Sequence, residues 1–574
     1  MDCNMTKKEK SRQQGRTISW GLGSYQDAVE QTLAAMRDER IVARIWAHDH
    51  TVWKSNPVEI KNRLGWLHSA GVMARNIQGL TELAEAVRAD GYTHALLLGM
   101  GGSSLAAEVM AAMFGSQSGY LQLAILDSTD PGAVQAYGER CDPARSLFIV
   151  STKSGTTVET LSSFKFFYRR AADLLGEEKA GQHFIAITDP GSPLADLAER
   201  YGFRGTFLND PNIGGRYSAL SCFGLVPAAL TGIDLDLLLA RAMIMSSDAE
   251  SSTGDVARLG VVLGEMGVAG RDKVTFVTSP GLEPFGDWVE QLLAESTGKE
   301  GRGLLPVVGE VLGSPEEYGQ DRLFVHLRLT EDAEYKERVA ALQEAGHPVI
   351  TIDLEDRYDL GGQFFLWEMA TAVAGWRMGI NPFDQPDVES SKVLTRRMVD
   401  EYVKKGVFSE EKSSLIDGDI TVFGGPISDD PGSVLLAFIR GGIADGAYIA
   451  LQAYLQPGPE TDRALHLLRV RLRDRFRIAT TAGYGPRLLH STGQLHKGDA
   501  GRGLFVQFTA DHAADLAIPD DAGSPASSMT FGLLEKAQAA GDRKALQDAG
   551  RKVMRFHLGS DVIGGLTRLT EALK

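Results

Sequence analysis

A cluster of hydroxyl side chains gives this sequence its clearest chemical signal. The segment STKSGTTVET (151–160) follows the apolar run SLFIVS and leads into a helical stretch that begins near Thr157. Hydroxyl groups, free backbone N–H groups and the positive end of a helix dipole together suit a phosphate monoester. A helix cap accounts for one Ser or Thr but not for the whole cluster. The segment therefore predicts a phosphate site, although it lacks the Walker A pattern.

A glycine-rich segment, GMGGSS (99–104), joins the apolar run THALLL to the helical stretch LAAEVMAAMF. Glycines at such a turn let the backbone approach a ligand, and the helix N-terminus offers N–H groups to an anion. The spacing departs from the G-x-G-x-x-G pattern of dinucleotide sites. Taken alone the segment is an ordinary turn, but together with 151–160 it favours a bound sugar phosphate.

Two further segments supply a cation and a carboxylate. In NIGGRYSALS (212–221), paired glycines precede Arg216, whose guanidinium stays charged. In GDWVEQLLAESTGK (286–299), the apolar spacing predicts a helix that ends at Gly298, with Glu295 in its last turn. Such a carboxylate is a candidate general base, although an isolated Glu at a helix end is more often solvated.

A fifth segment, INPFDQPDVESSK (380–392), predicts a helix with Asp384 as its N-cap, Pro386 in its first turn and Lys392 about two turns in. A lone lysine on a helix is ordinarily solvated. Lys392 therefore gains meaning only from the other four segments.

These segments lie within an α/β pattern. Short apolar runs, each followed by a helical stretch, predict a parallel sheet that is buried on both faces. The runs of the first module are THALLLGM, LQLAILD, SLFIVS and HFIAIT. KVTFVT, RLFVHLRL and PVITIDL, with a long helical stretch at 362–380, predict a second such module.

The composition changes past residue 405. KKGVFSEEKSSLIDGD is polar and typical of a linker, and the strand-like runs DITVFGG, AYIALQAYL, RFRIATT and GLFVQFT follow it. The predicted fold class is therefore α/β, with two doubly wound parallel-sheet domains and a smaller C-terminal α/β domain. The predicted divisions are an N-terminal tail and helical arm (1–59), the two domains (60–240 and 241–405) and the C-terminal extension (415–574).

In this order along the chain, the five segments resemble the motifs of the phosphoglucose isomerase family. GMGGSS is similar to its G-I-G-G-S turn, TKSGTTVET to its phosphate loop S-K-T-x-T-T-x-E-T, and GGRYS to G-G-R-[FY]-S. EQLLAESTGK is similar to Q-x-x-x-E-S-N-G-K, and NPFDQPDVESSK to N-x-F-D-Q-x-G-V-E-L-G-K. The resemblance covers residues 60–405 and implies two sugar-isomerase (SIS-type) domains.

The resemblance implies a role for each matching residue. Glu295 becomes the base, Arg216 stabilises developing negative charge, and Lys392 takes part in opening the sugar ring. The residues implied in substrate binding are Gly102, Ser103, Thr152, Lys153, Ser154, Thr156, Thr157, Gly215, Gln291 and Gln385. No metal or organic cofactor is implied.

The sequence departs from the family at the motif G-x-N-G-Q-H, whose histidine is assigned to ring opening. The corresponding stretch, GEVLGSPEEYGQDRLF, has Asp321 after Gln320. Downstream, YGPRLLHSTGQLHKGDAGRGLFVQF (484–508) resembles the isomerase half of fused transaldolase–phosphoglucose isomerase proteins.

Histidine suits ring opening because it titrates near neutral pH. His496, in STGQLHKG, best resembles the lost G-Q-H pattern, and we predict that it replaces the absent residue. His490 in the same segment, His326 and Lys392 are the alternatives.

The implied activity is the reversible conversion of glucose 6-phosphate and fructose 6-phosphate by proton abstraction next to a carbonyl. Glu295 would carry the proton between C2 and C1 through an enediolate. A dual phosphoglucose/phosphomannose isomerase is the nearest alternative. A non-catalytic sugar-phosphate-binding regulator is an alternative of another class, since such α/β modules also bind effectors, but a sensor needs no base.

Composition limits the partners and the compartment. The 574 residues carry a formal net charge of −16, which disfavours general nucleic-acid binding, and no apolar stretch is long enough to span a membrane. Cys3, Cys141 and Cys222 are too scattered for a disulfide framework or a zinc site. We expect a cytoplasmic homo-oligomer that binds a small sugar phosphate and has a loose N-terminus rather than a signal peptide.

Overall fold

The computed structural model describes residues 18–251, 254–405 and 411–574, except for the side chains of 391, 392, 400, 401 and 403–405. The predicted tail lies outside the described residues up to position 17. The arm that follows consists of strand β1 (Ile18–Gly21) and helices α1 (Gln26–Asp38) and α2 (Ile41–Trp46). The arm therefore contains one strand that the sequence prediction lacked.

The first module is a five-stranded parallel sheet. Its strands are β2 (His94–Gly99), β3 (Gln122–Leu126), β4 (Ser146–Ser151), β5 (Phe184–Thr188) and β6 (Gly205–Leu208). Its helices are α3 (Ser69–Ala74), α4 (Ile77–Ala89), α5 (Leu105–Phe114), α6 (Pro131–Arg140), α7 (Val158–Leu175), α8 (Glu177–Ala180), α9 (Pro193–Arg200) and α10 (Cys222–Thr231). The four predicted strands are confirmed.

The strand order of this sheet determines where a ligand can reach it. The order is β3-β2-β4-β5-β6, so the chain runs outward in opposite directions from the neighbours β2 and β4. Their carboxyl ends lie side by side, with Gly99 paired to Ser151. Ligands of open α/β sheets bind in the crevice at such a reversal. The segments 99–104 and 151–160 therefore leave the sheet at the same crevice.

The second module is also five-stranded, in the order β1-β10-β9-β7-β8, and β1 is its antiparallel edge strand. The other strands are β7 (Lys273–Thr278), β8 (Leu305–Val307), β9 (Arg322–Leu329) and β10 (Val349–Leu354). The helices are α11 (Leu235–Asp248), α12 (Asp255–Val268), α13 (Pro284–Thr297), α14 (Lys336–Glu344), α15 (Leu360–Met378) and α16 (Val388–Lys405). Helix α15 packs against α11 and α12 in an apolar core shared with the first module.

The third module is built on a mixed six-stranded sheet, in the order β11-β12-β18-β15-β13-β14. The strands after residue 410 are β11 (Leu415–Asp417), β12 (Ile420–Phe423), β13 (Tyr448–Tyr454), β14 (Ala479–Tyr484), β15 (Gly503–Thr509), the separate pair β16 (Ala517–Ile518) and β17 (Met529–Thr530), and β18 (Lys552–His557). The helices are α17 (Pro431–Arg440), α18 (Pro459–Phe476), α19 (Gly493–Gly498), α20 (Phe531–Asp548) and α21 (Val562–Glu571). The predicted α/β class is confirmed for all three modules.

The predicted linker is partly wrong, because β11 lies within it. β11 and β12 form a hairpin whose two-residue loop is Gly418–Asp419, and the φ of 59° at Gly418 suits a glycine at the first position of such a tight turn. Residues 406–410 of that segment lie outside the described residues.

The third module docks on the second through apolar side chains. Its core takes in Ala294 of α13 and Leu305 and Val307 of β8. Among the helices that the structure describes, none is both long and apolar enough to cross a bilayer.

Candidate active site

The crevice of the first sheet opens into a cleft of about 540 Å³ that all three modules line. The first module contributes the loops after β2 and β4, the second contributes α13 and the loop before α16, and the third contributes Leu489 and His490. The predicted site residues that line it are Gly102, Ser103, Thr152, Lys153, Ser154, Thr157, Gly215, Arg216, Gln291, Glu295 and Gln385. Segments that are distant in the sequence thus meet in one cavity.

The hydroxyl cluster forms the wall of the cleft at the N-terminus of α7. Thr157 is the N-cap residue of α7, yet its side chain makes no capping hydrogen bond, and its Oγ1 lies 2.8 Å from Thr152 Oγ1. Ser154 Oγ lies 3.0 Å from Thr156 Oγ1, although Thr156 faces an adjacent cavity rather than the cleft. Since the hydroxyls pair with one another, the first N–H groups of α7 remain available to an anion.

Lys153 is fixed within this loop. Its Nζ pairs with Asp189, which also lines the cleft, and donates to the carbonyl of Pro211 at 3.1 Å. Burial raises the pKa of Asp189, and the hydrogen bond from Lys153 opposes that rise. Asp189, which the sequence prediction missed, therefore offsets the charge that Lys153 brings to the loop.

Glycines are required where the loops touch. A methyl group on Gly102 would lie 2.2 Å from the carbonyl carbon of Gly215. Gly101 has a φ of 51°, and a methyl group there would lie 2.8 Å from the carbonyl oxygen of His490. Any side chain at these two positions would push the loops apart.

Glu295 and Arg216 form an ion pair in the cleft. Glu295 Oε1 lies 2.9 Å from Arg216 Nη1, and the arginine side chain is only 3% exposed. The guanidinium also donates to Ser296 Oγ at 2.7 Å, the Pro382 carbonyl at 2.8 Å, the Asp384 carbonyl at 3.0 Å and Gln385 Oε1 at 3.0 Å. The guanidinium is therefore held in one orientation before any ligand binds.

Gln291 holds the other oxygen of the same carboxylate. Its Nε2 donates to Glu295 Oε2 at 3.0 Å and to the carbonyl of His490 at 2.8 Å. Gln291 and Glu295 are four residues apart on α13 and so share one face of that helix. That face connects the carboxylate to the third module.

Lys299, which the sequence prediction did not name as a site residue, binds the same loop that accepts hydrogen bonds from Arg216. Its side chain is 1% exposed, and its Nζ donates to Asp384 Oδ1 at 2.8 Å and to the Asp384 carbonyl. Burial lowers the pKa of Lys299 to about 8, and the positive charge of the nearby Arg216 is the second cause of this shift. Lys299 is the lysine of the E-S-T-G-K segment, and its place in that motif could have identified it.

A histidine–carboxylate pair lies on the side of the cleft near the third module. His490 Nε2 lies 3.1 Å from Glu159 Oε1, and Gln538 on α20 donates to the same oxygen at 2.7 Å. Thr129 Oγ1 donates to Gln538 Oε1 at 2.7 Å and so orients that amide. The carboxylate therefore fixes the orientation of the imidazole at the edge of the cleft. Glu159 was missed, although it is the Glu of the T-T-V-E-T segment.

The structure does not bring His496 to the cleft. Its ring is 2% exposed, with its centroid 5.0 Å from that of Phe505 and 6.3 Å from that of Tyr448. Neither ring nitrogen has a hydrogen-bond partner among the described residues, and burial holds the pKa far below its usual range. Helix α19 directs this side chain into the core of the third module, which the G-Q-H resemblance did not indicate.

His326 and Lys392 are the remaining alternatives for the ring-opening residue. His326 is buried in β9, away from the cleft, and burial lowers its pKa to about 4. Lys392 belongs to α16, but its side chain lies outside the described residues, so its role stays a prediction.

One group among the described residues has ligand atoms close enough together for a metal: Asp130, His512 and Glu535. It lies outside the cleft. Glu535 Oε2 and Asp130 Oδ2 lie 3.1 and 3.6 Å from the two different nitrogens of His512. The hydrogen bond that His512 donates to Glu535 raises the pKa of His512. An imidazole paired on both edges suits an ion-pair triad better than a chelate.

Solved structures identify the class of fold. A hypothetical protein of Thermus thermophilus is 25% identical with a TM-score of 0.58, covering 66% of this chain and 99% of its own. A glucose-6-phosphate isomerase of Chlamydia trachomatis has a TM-score of 0.58 at 19% identity, covering 67% of this chain and 89% of its own. The chain is an α/β protein with two sugar-isomerase-type sheets and a further mixed sheet.

Within that class, sequence comparisons point to one family. Residues 74–300 match the family model of phosphoglucose isomerase. A glucose-6-phosphate isomerase of Rubrobacter xylanophilus is 29% identical over 372 residues, which are 56% of this chain and 85% of the relative. One of Heliobacterium modesticaldum is 29% identical over 444 residues, 67% of this chain and 96% of the relative. The chain is therefore related to the phosphoglucose isomerase family.

Proposed function

We propose that this protein is a glucose-6-phosphate isomerase that uses Glu295 as its base. The observation that carries the proposal is the Glu295–Arg216 pair, at 2.9 Å, in the same cleft as the hydroxyl-rich loop of α7. A phosphate held at that loop would orient the sugar toward α13. A protein that only sensed sugar phosphates would need the loop but not the carboxylate.

The proposed reaction is a proton transfer between neighbouring carbons. Glu295 takes the proton from C2 of the open-chain aldose phosphate, and the electrons of the C–H bond form the C1–C2 double bond of an enediolate with its charge on O1. The proton of the C2 hydroxyl passes to O1, and the carboxylic acid of Glu295 returns its proton to C1, which leaves the carbonyl at C2. Negative charge develops on the substrate oxygens during this step. Arg216 is fixed by its hydrogen bonds and can stabilise that charge without reorganising, which is the effective form of such catalysis.

We propose His490, rather than His496, for the ring-opening step. His490 lines the cleft and is paired with Glu159, whereas His496 is buried in the third module. Ring opening needs one group that removes the proton of the C1 hydroxyl and returns a proton to the ring oxygen. An imidazole held by a carboxylate suits both transfers.

An assay of the conversion of fructose 6-phosphate to glucose 6-phosphate tests the proposal directly. Glu295→Gln should lower kcat by about 100-fold or more, because the amide keeps the shape of the side chain but cannot accept a proton. Binding of a phosphorylated sugar acid should survive in this variant. Activity within a few-fold of the parent would remove Glu295 from the mechanism.

The same assay separates the alternatives. Conversion of mannose 6-phosphate at a comparable rate would indicate a dual phosphoglucose/phosphomannose isomerase. Binding of both sugar phosphates without turnover would indicate a regulator.

A further inference from the structure

Arg487 connects the third module to the first at the rim of the cleft. Arg487 is the first residue of the short turn Arg487–His490. Arg487 makes the ion pairs, and His490 in the same turn faces the cleft. Arg487 Nη1 lies 2.8 Å from Asp127 Oδ2, and Nη2 lies 2.7 Å from Glu108 Oε2. Asp127 directly follows β3, and Glu108 lies on α5. One planar guanidinium therefore bridges two elements of the first module.

The surroundings of Arg487 are strongly acidic. Helix α13 adds Asp287, whose Oδ2 lies 3.8 Å from Arg487 Nη2, and Glu290 one turn further along. Burial, and then the carboxylate of Asp287, raise the pKa of Glu290 to about 7. Because carboxylates gathered in one place repel one another, this site needs a cation to hold its elements together.

Arg469 is another cation near this acidic site, but two of its three nitrogens donate to backbone carbonyls. Its Nε donates to the Thr480 carbonyl at 2.6 Å and its Nη1 donates to the Val308 carbonyl at 2.7 Å. Arg487 is therefore the cation that pairs directly with the carboxylates of the first module.

Two hydrogen bonds connect the turn that Arg487 begins to the reacting groups. The carbonyl of His490 accepts from Gln291, which also donates to Glu295, and the ring of His490 pairs with Glu159. A shift of the turn would move the imidazole away from Glu159, whereas the hydrogen bond from Gln291 to Glu295 lies within α13.

The third module does not depend on Arg487 for its attachment. Leu495 packs against Gly298, where a methyl group would lie 2.2 Å from the Leu495 Cα. Arg473 donates to the carbonyl of Val311. Loss of Arg487 should therefore displace the turn locally and leave the modules together.

We propose that Arg487 is a positioning residue that seats His490 in the cleft through its ion pairs with Asp127 and Glu108. This inference rests on the proposed function, because it takes the pair of His490 and Glu159 to be the ring-opening group. It adds that an arginine of the third module, which never touches the sugar, sets how fast the ring opens.

The test compares Arg487→Met, Arg487→Lys and His490→Ala in the full chain. Arg487→Met should lower kcat on cyclic glucose 6-phosphate by roughly 10- to 100-fold, because a misplaced acid–base group loses most of its contribution. KM and the affinity for a phosphorylated sugar acid should change by less than about threefold. Arg487→Lys should recover part of the rate, since an ammonium can pair with one carboxylate at a time.

A double variant shows whether Arg487 acts through His490. If it does, Arg487→Met combined with His490→Ala should be no slower than His490→Ala alone, within about threefold. Losses that multiply would overturn the proposal, and so would an unchanged kcat in Arg487→Met.

Arg473→Met is the matched control. It removes another interdomain arginine that lies outside the cleft, so it should lower Tm and leave kcat as in the parent. Amide hydrogen exchange gives a readout that needs no activity: Arg487→Met should raise exchange at residues 487–492 but not in β13 or β15. If the parent proves inactive on sugar phosphates, the proposed function fails. The exchange result then still decides whether Arg487 holds the turn, and unchanged exchange would refute it.

Discussion

Arg216 and Lys299 approach the same short loop, 382–385, and both donate to the carbonyl of Asp384. Lys299 makes a further bond to the Asp384 carboxylate at 2.8 Å. The loop is thus held between the two cations, and its position sets the direction of the guanidinium beside Glu295. The protonation state of a lysine that does not line the cleft should therefore affect catalysis.

The pKa of Lys299, lowered from 10.5 to about 8, predicts a pH dependence of the rate. As pH rises through about 8, Lys299 loses its proton and its ion pair with Asp384, and Arg216 loses a support. We expect kcat to fall above that pH in the parent. Lys299→Met should be slower at neutral pH and should lack this alkaline fall, as a pH profile of both proteins would show. A fall of the same shape in both would assign it to another group.

Stability should change in the opposite direction over the same pH range. Between pH 8 and 10.5 the unfolded chain binds a proton at Lys299 that the folded chain does not, so stability rises with pH. The parent should gain up to about 1.4 kcal/mol per pH unit relative to Lys299→Met in that window. Denaturant unfolding at several pH values would measure the difference.

The two histidines of the 484–508 segment give a matched pair of variants. His490→Ala should slow the turnover of cyclic glucose 6-phosphate selectively. It should leave the exchange of the C2 proton of an aldotetrose 4-phosphate, which cannot cyclise, within about threefold of the parent. His496→Ala should lower Tm through a cavity in the third module, with kcat little changed. The reverse pattern would restore His496 as the ring-opening residue.

Single residues were predictable where they belong to a motif with its own chemistry. Glu295, Arg216 and the hydroxyls of Thr152, Ser154 and Thr157 line the cleft because their spacing within one loop or helix fixes their direction. Glu159 and Asp189 could not be found in this way. Their importance comes from partners 331 and 36 residues away, a distance that no local pattern encodes.

At the scale of elements, the contact between the loops after β2 and before α10 leaves no room for a side chain. Gly102→Ala would place a methyl group 2.2 Å from the Gly215 carbonyl carbon, so the backbone must move and Arg216 must move with it. We expect a loss of kcat of about 10-fold or more, since small displacements of catalytic groups are costly. Kinetics of the purified variant would measure it.

Gly79→Ala is the control for that change. Gly79 lies within α4 in the same module, where a new methyl group meets nothing within 4 Å. Because alanine favours a helix more than glycine, this variant should be more stable by up to about 1 kcal/mol and equally active. Equal losses in both variants would mean that the module, rather than the contact, had been disturbed.

Continuous apolar runs predicted the parallel strands closely, and β7 and β9 have the predicted bounds. Seven strands were not predicted, namely β1, β6, β8, β11, β16, β17 and β18. β1, β6 and β8 have three or four residues each, and their pairing is decided by neighbours distant in the sequence. The direction of helix α19, which takes His496 out of the cleft, likewise follows from packing in the third module rather than from its own sequence.

At the scale of the whole molecule, the end of α13 is where the second and third modules meet. Gly298→Ala would overlap the backbone of Leu495, so the third module must shift away from the helix that carries Glu295. We expect a loss of about 1–3 kcal/mol, typical of overpacking at a buried contact. Thermal unfolding should show a lower Tm, and kcat should fall as His490 moves with its module. An unchanged Tm would mean that the interface yields freely at this point.

The placement of His490 also has a consequence for how activity arises during synthesis. The hydroxyl-rich loop, Arg216 and Glu295 are all translated before residue 300, and the first two sheets can form from that part of the chain and the 100 residues that follow. The imidazole comes nearly 200 residues after Glu295, in a module whose last strand, β18, ends at His557. A ribosome-bound chain that has released only two modules would hold the sugar phosphate and the base without the means to open the ring. Catalysis would then begin only once the third module, up to His557 at the end of β18, has been translated and folded.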